Sequence, residues 1–381
     1  MQNTFLSQQN GNRIDKKRDT NLELFRIITM LLIIAHHYVV NSGLMQLIQV
    51  NPTAGNSLFL LLFGAWGKTG INCFVLITGY FMCQSTMTAK KFFKLLLEVL
   101  FYRVIINCAF WFTGYQPLSM QTLLRLLPIT SIGDGFTSTY LVFMLCIPFI
   151  NILIKNLSQK QHIYLLLLMS FVYIFFETLK PVFYVTKNYI SWYFVLYLFA
   201  SYVRFYPNKL FNSARVWGCM SAIVIGIGVV SVIVGAWLSA KLGKDLGMYF
   251  LTDSNALLPF AIGFCTFMFF KNIHVPYNKY ANALAATCFG VLQIHANSDT
   301  MRYWLWTDIL DNVGVFSKSW MPVHAVGSVI GIFLICAGID YLRIVWIEKP
   351  LFRVWNRFEP KAMEIYAETE AIVLRRLGVS E

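Results

Sequence analysis

The sequence predicts an all-α polytopic membrane protein with about ten transmembrane helices and both termini cytoplasmic. Three observations predict it. Hydrophobic residues fill 57% of the 381 positions and charged residues only 13%, against about 25% charged in an ordinary soluble domain. Continuous apolar runs recur along the chain with polar turns between them, near the roughly 20 residues that a helix needs to cross a bilayer. Basic residues gather in alternate turns, as the positive-inside rule requires. Lipid offers the backbone no partners, so continuous runs of this kind must satisfy themselves as helices.

The opening residues 1–20 are polar and read as a cytoplasmic tail, so the first apolar run is a retained span rather than a cleaved signal. A membrane domain is expected over 21–358 and a second cytoplasmic tail over 359–381. The candidate spans are roughly 22–42, 58–83, 92–112, 137–154, 162–178, 190–205, 216–238, 255–270, 284–301 and 323–347. The second is long and rich in glycine ("FGAWGKTGINC"), and is expected to be broken or re-entrant. With the N-terminus inside, the inner segments hold 21 Lys and Arg, among them Arg13, Lys16, Lys17 and Arg18. The outer loops hold 7, including Lys180 and Lys187. Arg26, Lys68 and Arg103 fall within spans. This bias accounts for the net charge of +13 and turns the basic residues toward the inner leaflet rather than toward nucleic acid. The eight cysteines lie in or beside apolar runs with no CxxC pair, so they read as small packing residues and no metal site is expected. No phosphate-binding glycine loop marks a nucleotide-driven pump.

The first span is the exception to this apolar pattern, because it carries Glu23, Arg26, His36 and His37. Arg26 and His37 are eleven residues apart, about 20° past three full turns, and share one helix face about 16 Å apart in depth. Glu23 falls on the same stripe, whereas His36 points about 100° away and reads as a packing residue. Ionisable groups inside a bilayer are expensive and default to function. An arginine can hold a phosphate or a carbonyl oxygen, and a neutral imidazole deeper in the span can take a proton from an alcohol.

This stretch resembles the first helix of the acyltransferase 3 family of integral membrane proteins, whose hallmark is a basic residue, ten residues and a catalytic histidine. "CFVLITGYFM" (73–82) resembles the family's "FFxLSGxL" segment, with Thr78 in place of the serine. "CFGVLQIH" (288–295) resembles its "SxGxYLIH" segment and ends on His295. "IEKPLFR" (347–353) resembles its closing "ExP", with Glu348 and Pro350. The resemblance covers 18–353. It implies ten helices and transfer of an acyl group, usually acetyl from acetyl-CoA, to sugar hydroxyls of surface polysaccharide, lipopolysaccharide or peptidoglycan. It implies no bound cofactor, acetyl-CoA being the donor substrate. The chain most resembles stand-alone bacterial polysaccharide O-acetyltransferases. Where the family often has arginines after the second span, this chain has "KKFFKLLLEVLFYR", leaving Lys91, Lys94 and Arg103 as candidates for contact with the donor.

Other polar residues in the spans carry two readings each. Glu98 and Arg103 either pair within the bundle or present Arg103 to the CoA phosphates. His295 and Asp299 are spaced i, i+4, so the carboxylate either orients the histidine or joins helices. Glu348 reads as a cap or as a partner of a base such as Arg353. His162 and His274 are expected in solvated inner loops, and His324 near the outer surface. The tail "KAMEIYAETEAIVLRRLG" is expected to form an interfacial helix.

Taken together, the expectation is a plasma-membrane O-acetyltransferase. Arg26 would contact acetyl-CoA from the cytoplasmic side, and His37 would deprotonate a glycan hydroxyl or carry the acetyl group. Glu23 would pair with Arg26 or orient the site. The alternative is a proton-coupled transporter or flippase of a lipid-linked glycan, which uses the same buried residue types; its signature would be paired broken helices in two repeats. A sensor or assembly subunit without turnover is a third class.

Overall fold

The computed structural model describes residues 19–130, 132, 135–179 and 188–377. The first eighteen residues, with Arg13, Lys16, Lys17 and Arg18, lie outside the described residues, as do Lys180, Lys187 and the last four positions of the second tail.

Every described element is a helix. The principal ones are α1 Thr20–Val40, α2 Gly55–Gly64, α3 Gly67–Met82, α4 Ala89–Phe112 and α5 Phe136–Asn156. They continue with α6 Gln159–Thr178, α7 Tyr189–Phe205, α8 Ala214–Leu242, α9 Leu257–Asn272, α10 Lys279–Ala286, α11 Cys288–His295, α12 Met321–Arg343 and α13 Lys349–Arg376. Among the described residues, 7 helical stretches are long and apolar enough to cross a membrane. Tyr189–Phe205 and Leu257–Asn272 are shorter, at 17 and 16 residues.

The ninth expected span, 284–301, is not one helix. It breaks at Thr287, and again after His295, where Ser298 accepts a hydrogen bond from the Met301 amide and starts a new helix. At the far end the helix expected in the tail is present, and it is continuous with the segment before residue 359: α13 runs unbroken from Lys349 to Arg376.

The glycines of the second span explain its interruption. A Cβ on Gly64 would strike Val39, one on Gly67 the His36 ring, and one on Gly70 Ile33. Spaced by three residues, they form a seam that lets α1 close against α2 and α3. Outward-facing positions are apolar: Ile223, Ile227, Val230, Val234 and Trp237 on α8 are all exposed. An apolar face this extensive fits lipid rather than water. The protein is thus a multi-pass, all-α membrane protein.

Two ends can be named by α1. Asn21 donates to the carbonyls of Phe270, Lys271 and Ile273, and the Asn278 amide donates to Thr20, so the turn after α9 sits at the Thr20 end. At the Val40 end, Asn312 donates to the Tyr38 carbonyl and Asn56 to that of Phe316.

Candidate active site

Two histidines from opposite ends of the sequence meet inside the bundle. His37 Nδ1 lies 3.0 Å from His295 Nε2, and His295 Nδ1 lies 2.7 Å from the Val291 carbonyl. A carbonyl only accepts, so His295 carries its proton on Nδ1 and keeps Nε2 bare. Between two neutral rings the proton of the second bond then belongs to His37 Nδ1. His37 Nε2 is left with a lone pair and takes no hydrogen bond from another described residue. A backbone carbonyl thus sets the tautomer of a side chain two rings away. His295 is fully buried because it closes α11, where the backbone turns out of the helix at Ala296.

Arg26, about three turns lower on the same face of α1, donates to Glu23 at 3.0 Å. Glu23 is buried and Arg26 half-buried, so the guanidinium keeps capacity toward the interior. Thr78, at the position of the "LSG" serine, shares a 2.8 Å hydrogen bond with Tyr140 of α5. Gln293 of α11 donates to Thr137 at 2.9 Å. Side chains from α3, α5 and α11 thereby present hydroxyls and an amide in the bundle that also holds α1.

A second polar cluster joins α4 to α12 and the start of α13. Arg343 donates through Nε to Asp340 (2.7 Å) and through NH1 to Glu348 (3.0 Å), and its NH2 pairs with Glu98 (3.1 Å). Tyr102 donates to Asp340 at 2.7 Å, and Lys94 reaches Glu348 at 2.6 Å. Arg343 and Glu348 meet because Ile344–Glu348 is a single π-helical turn; its wider pitch stacks residues five apart. Gly290 leaves the space that the Asp340 carboxylate occupies against α11. Asp340 and Arg343 form an i, i+3 charged pair within the tenth span, the same kind of signal that marks Glu23 and Arg26 in the first.

Three expected pairings and one expected location are corrected by this geometry. Glu98 binds Arg343, not Arg103. Arg103 instead donates to the carbonyls of Arg125 and Leu127 and to Ser138, so its donors tie down the connection between α4 and α5. Asp299 does not reach His295: the helix break separates them, and Asp299 pairs at the surface with Arg302 at 3.0 Å. Glu348 binds Arg343 and Lys94 rather than Arg353. His162 is fully buried and bonds the Leu198 carbonyl at 3.1 Å instead of lying in a solvated loop. His274 is exposed, and His324 is half-buried, paired with the Tyr38 hydroxyl at 2.9 Å.

At the end of the bundle where α4 begins, Lys90, Lys91, Lys94, Lys349 and Arg353 line a cavity of about 430 Å³. Lys91 donates to Ser85 and the Thr86 carbonyl, and Lys90 pairs with Glu359 and Asn356. Lys349 and Arg353 are exposed. No group of three His, Cys, Asp or Glu among the described residues is arranged to hold a metal ion.

The acyltransferase 3 family model, described as an acyltransferase domain, matches residues 19–341. No curated protein and no solved structure matches the chain.

Proposed function

The chain belongs to the acyltransferase 3 family and is a membrane acyltransferase, and from that premise we propose that it moves an acetyl group from acetyl-CoA to a hydroxyl of a cell-surface or lipid-linked polysaccharide at the plasma membrane. The single observation that carries this reading is the bare Nε2 of His37, held in that tautomer by His295 and the Val291 carbonyl. The Thr20 end is taken as cytoplasmic. Acetyl-CoA enters there, where the cavity of Lys90, Lys91, Lys94, Lys349 and Arg353 suits its phosphates. Arg26 holds a phosphate or the thioester oxygen.

In the direct route His37 Nε2 removes the proton of the acceptor hydroxyl as its oxygen attacks the thioester carbon. The carbon–sulfur bond breaks, and the departing thiolate takes the proton back from His37. In the covalent route Nε2 attacks the thioester carbon, the carbon–sulfur bond breaks and CoA departs as the thiolate; the acceptor oxygen then attacks the acetyl carbon, the carbon–nitrogen bond breaks, and the hydroxyl proton passes to the thiolate. The imidazolium formed in the direct route is stabilised by the hydrogen bond to His295 Nε2. Glu23 positions Arg26. The depth of about 16 Å between Arg26 and His37 lets a donor from one side meet an acceptor from the other.

The test is thioester consumption by the purified protein with a glycan acceptor, followed by mass spectrometry of surface glycans with and without the gene. A transporter or flippase consumes no CoA thioester and leaves glycan acetylation to another enzyme. A pre-steady-state burst of free CoA without acceptor marks the covalent route.

A further inference from the structure

A cavity of about 940 Å³ lies beside α1, with His36, Ala65 and Lys68 at one end and Val224, Ile227 and Ser231 of α8 along one wall. The start of α9, including Leu257, forms another wall, and the connection carrying Asp245, Tyr249 and Phe250 covers it. That connection is folded back onto the bundle: the Leu246 amide donates to Ser239 at 2.9 Å, and Gly247 packs so tightly on Leu61 that a Cβ would collide.

Seven lining residues are also exposed on the outside of the protein, the apolar Ile227, Tyr249, Phe250 and Leu257 and the polar Thr178, Asp245 and Thr252. Residues that face a cavity and the exterior together mark its mouth. Ile227 is near the middle of a 29-residue helix, about 20 Å from the start of α8, so on its apolar side the mouth reaches the depth of lipid, while Thr178, Asp245 and Thr252 give it a polar side.

The inner end is polar and incompletely partnered. His36 Nδ1 lies 2.6 Å from the Gly64 carbonyl, which puts the proton of a neutral ring on Nδ1 and leaves Nε2 bare. Lys68 donates to the Tyr189 hydroxyl at 3.2 Å and forms no ion pair among the described residues. A half-buried ammonium that makes one hydrogen bond keeps donors available to a ligand in the cavity. The carboxylates of Glu177, Asp253 and Asp245, the last of which is exposed and accepts from Gln49 at 3.0 Å, line the same space. Bare imidazole nitrogen, ammonium and carboxylates together suit hydroxyls, which donate and accept at once, while the apolar walls suit a hydrocarbon. The His36 ring centre is 6.0 Å from that of His37, so this end of the cavity lies one ring away from the His37 side chain, which is not itself part of the lining.

We propose that the cavity binds the acceptor in hydrocarbon-linked form, with a saccharide head at His36 and Lys68 and the chain leaving past Ile227 and Leu257 into the bilayer. Only the head's role as acceptor rests on the acetyl-transfer reading; the occupancy does not.

The test uses the full chain in nanodiscs and a dodecyl glucoside with a diazirine on its alkyl chain. After irradiation, peptide mass spectrometry maps the label. The expected result is labelling within 224–231 and 249–258, competed by plain decyl glucoside but not by methyl glucoside. Ile227→Trp and, independently, Leu257→Trp lower it at least tenfold in protein with an unchanged unfolding midpoint. His36→Ala weakens the competition by decyl glucoside. His37→Ala labels as the parent protein does, which separates binding from chemistry: localised labelling with no acetyl transfer in the parent protein sinks the acetyl-transfer reading and leaves the cavity assignment standing. Label spread along Ile223, Val230 and Val234, insensitive to competitor and to both tryptophans, is contact with bulk lipid and overturns the proposal.

Discussion

The His37–His295 pair and the Arg343 cluster are both polar, both buried in the bundle and both built on helices far apart in sequence, yet they are finished differently. At Arg343 each guanidinium nitrogen faces its own carboxylate, Lys94 takes the second oxygen of Glu348, and Tyr102 adds a second donor to the Asp340 oxygen that Arg343 holds. At the histidines the chain of donors runs from His37 through His295 to a carbonyl and stops, leaving one lone pair unused. Charges removed from water must be matched or the fold suffers. A neutral ring can keep an open atom at little cost. Intramembrane ionisable residues therefore divide into those that join helices and those that can react, and the division is made by counting donors against acceptors.

The sharpest way to break this division is His37→Ala. General-base catalysis is worth about 10²–10⁴-fold, so acetylation of glycan should be lost while the protein inserts and unfolds at its usual temperature. His37→Gln, which keeps a hydrogen bond to His295 but not the basic nitrogen, should be equally inactive. Retained activity in either variant moves the chemistry away from this atom.

Arg343→Ala should fail in the opposite way. It leaves Glu98 without its ion-pair partner and Asp340 and Glu348 with only Tyr102 and Lys94, and loss of one partner from a buried charge network costs about 3–5 kcal/mol. The expected readout is a large fall in folded protein and in unfolding temperature. Arg343→Lys should recover little, since one ammonium cannot serve three carboxylates in a planar fork. A stable Arg343→Ala protein that has lost only turnover would place this cluster among the reacting groups.

Arg26→Ala is expected between these extremes. Its contact with Glu23 is half-buried, and losing a charge-assisted contact with the donor costs about 1.5–3 kcal/mol, or roughly ten- to a hundredfold. The loss should appear in the apparent affinity for acetyl-CoA more than for the acceptor, with partial recovery in Arg26→Lys. An unchanged affinity at normal protein levels would make Arg26 a packing or topology residue.

What the sequence made legible follows the same line. Helix faces are local arithmetic, so the shared stripe of Glu23, Arg26 and His37 and the run of spans could be read directly. The partner of His37 could not, because 258 residues separate it from His295 and helical periodicity says nothing about which helices touch. Spacing misled where the backbone departs from a regular helix. Asp299 is four residues from His295, but the helix ends between them; Glu348 is five from Arg343, and a wider turn brings them together. The role of Gly64, Gly67 and Gly70 was half legible: their density pointed to an interruption, while the close approach of α1 that requires them is a tertiary fact.

Asp299 gives the smallest expected effect and the finest test of the comparison. Its side chain is 84% exposed and its partner is Arg302 on the same short helix, the kind of surface pair that contributes little. If the histidine chain is complete as described, with the Val291 carbonyl as its terminus, His295 needs no carboxylate, and Asp299→Asn should change acetylation by less than about twofold. A carboxylate behind His295 would make a different machine, because it would let the proton pass along the chain and leave a charged group where the structure has a neutral one. A loss in Asp299→Asn approaching that of His37→Ala would therefore mean that the chain bends back across Ala296–Ser298 during turnover, and that the pair is finished with charge as the Arg343 cluster is.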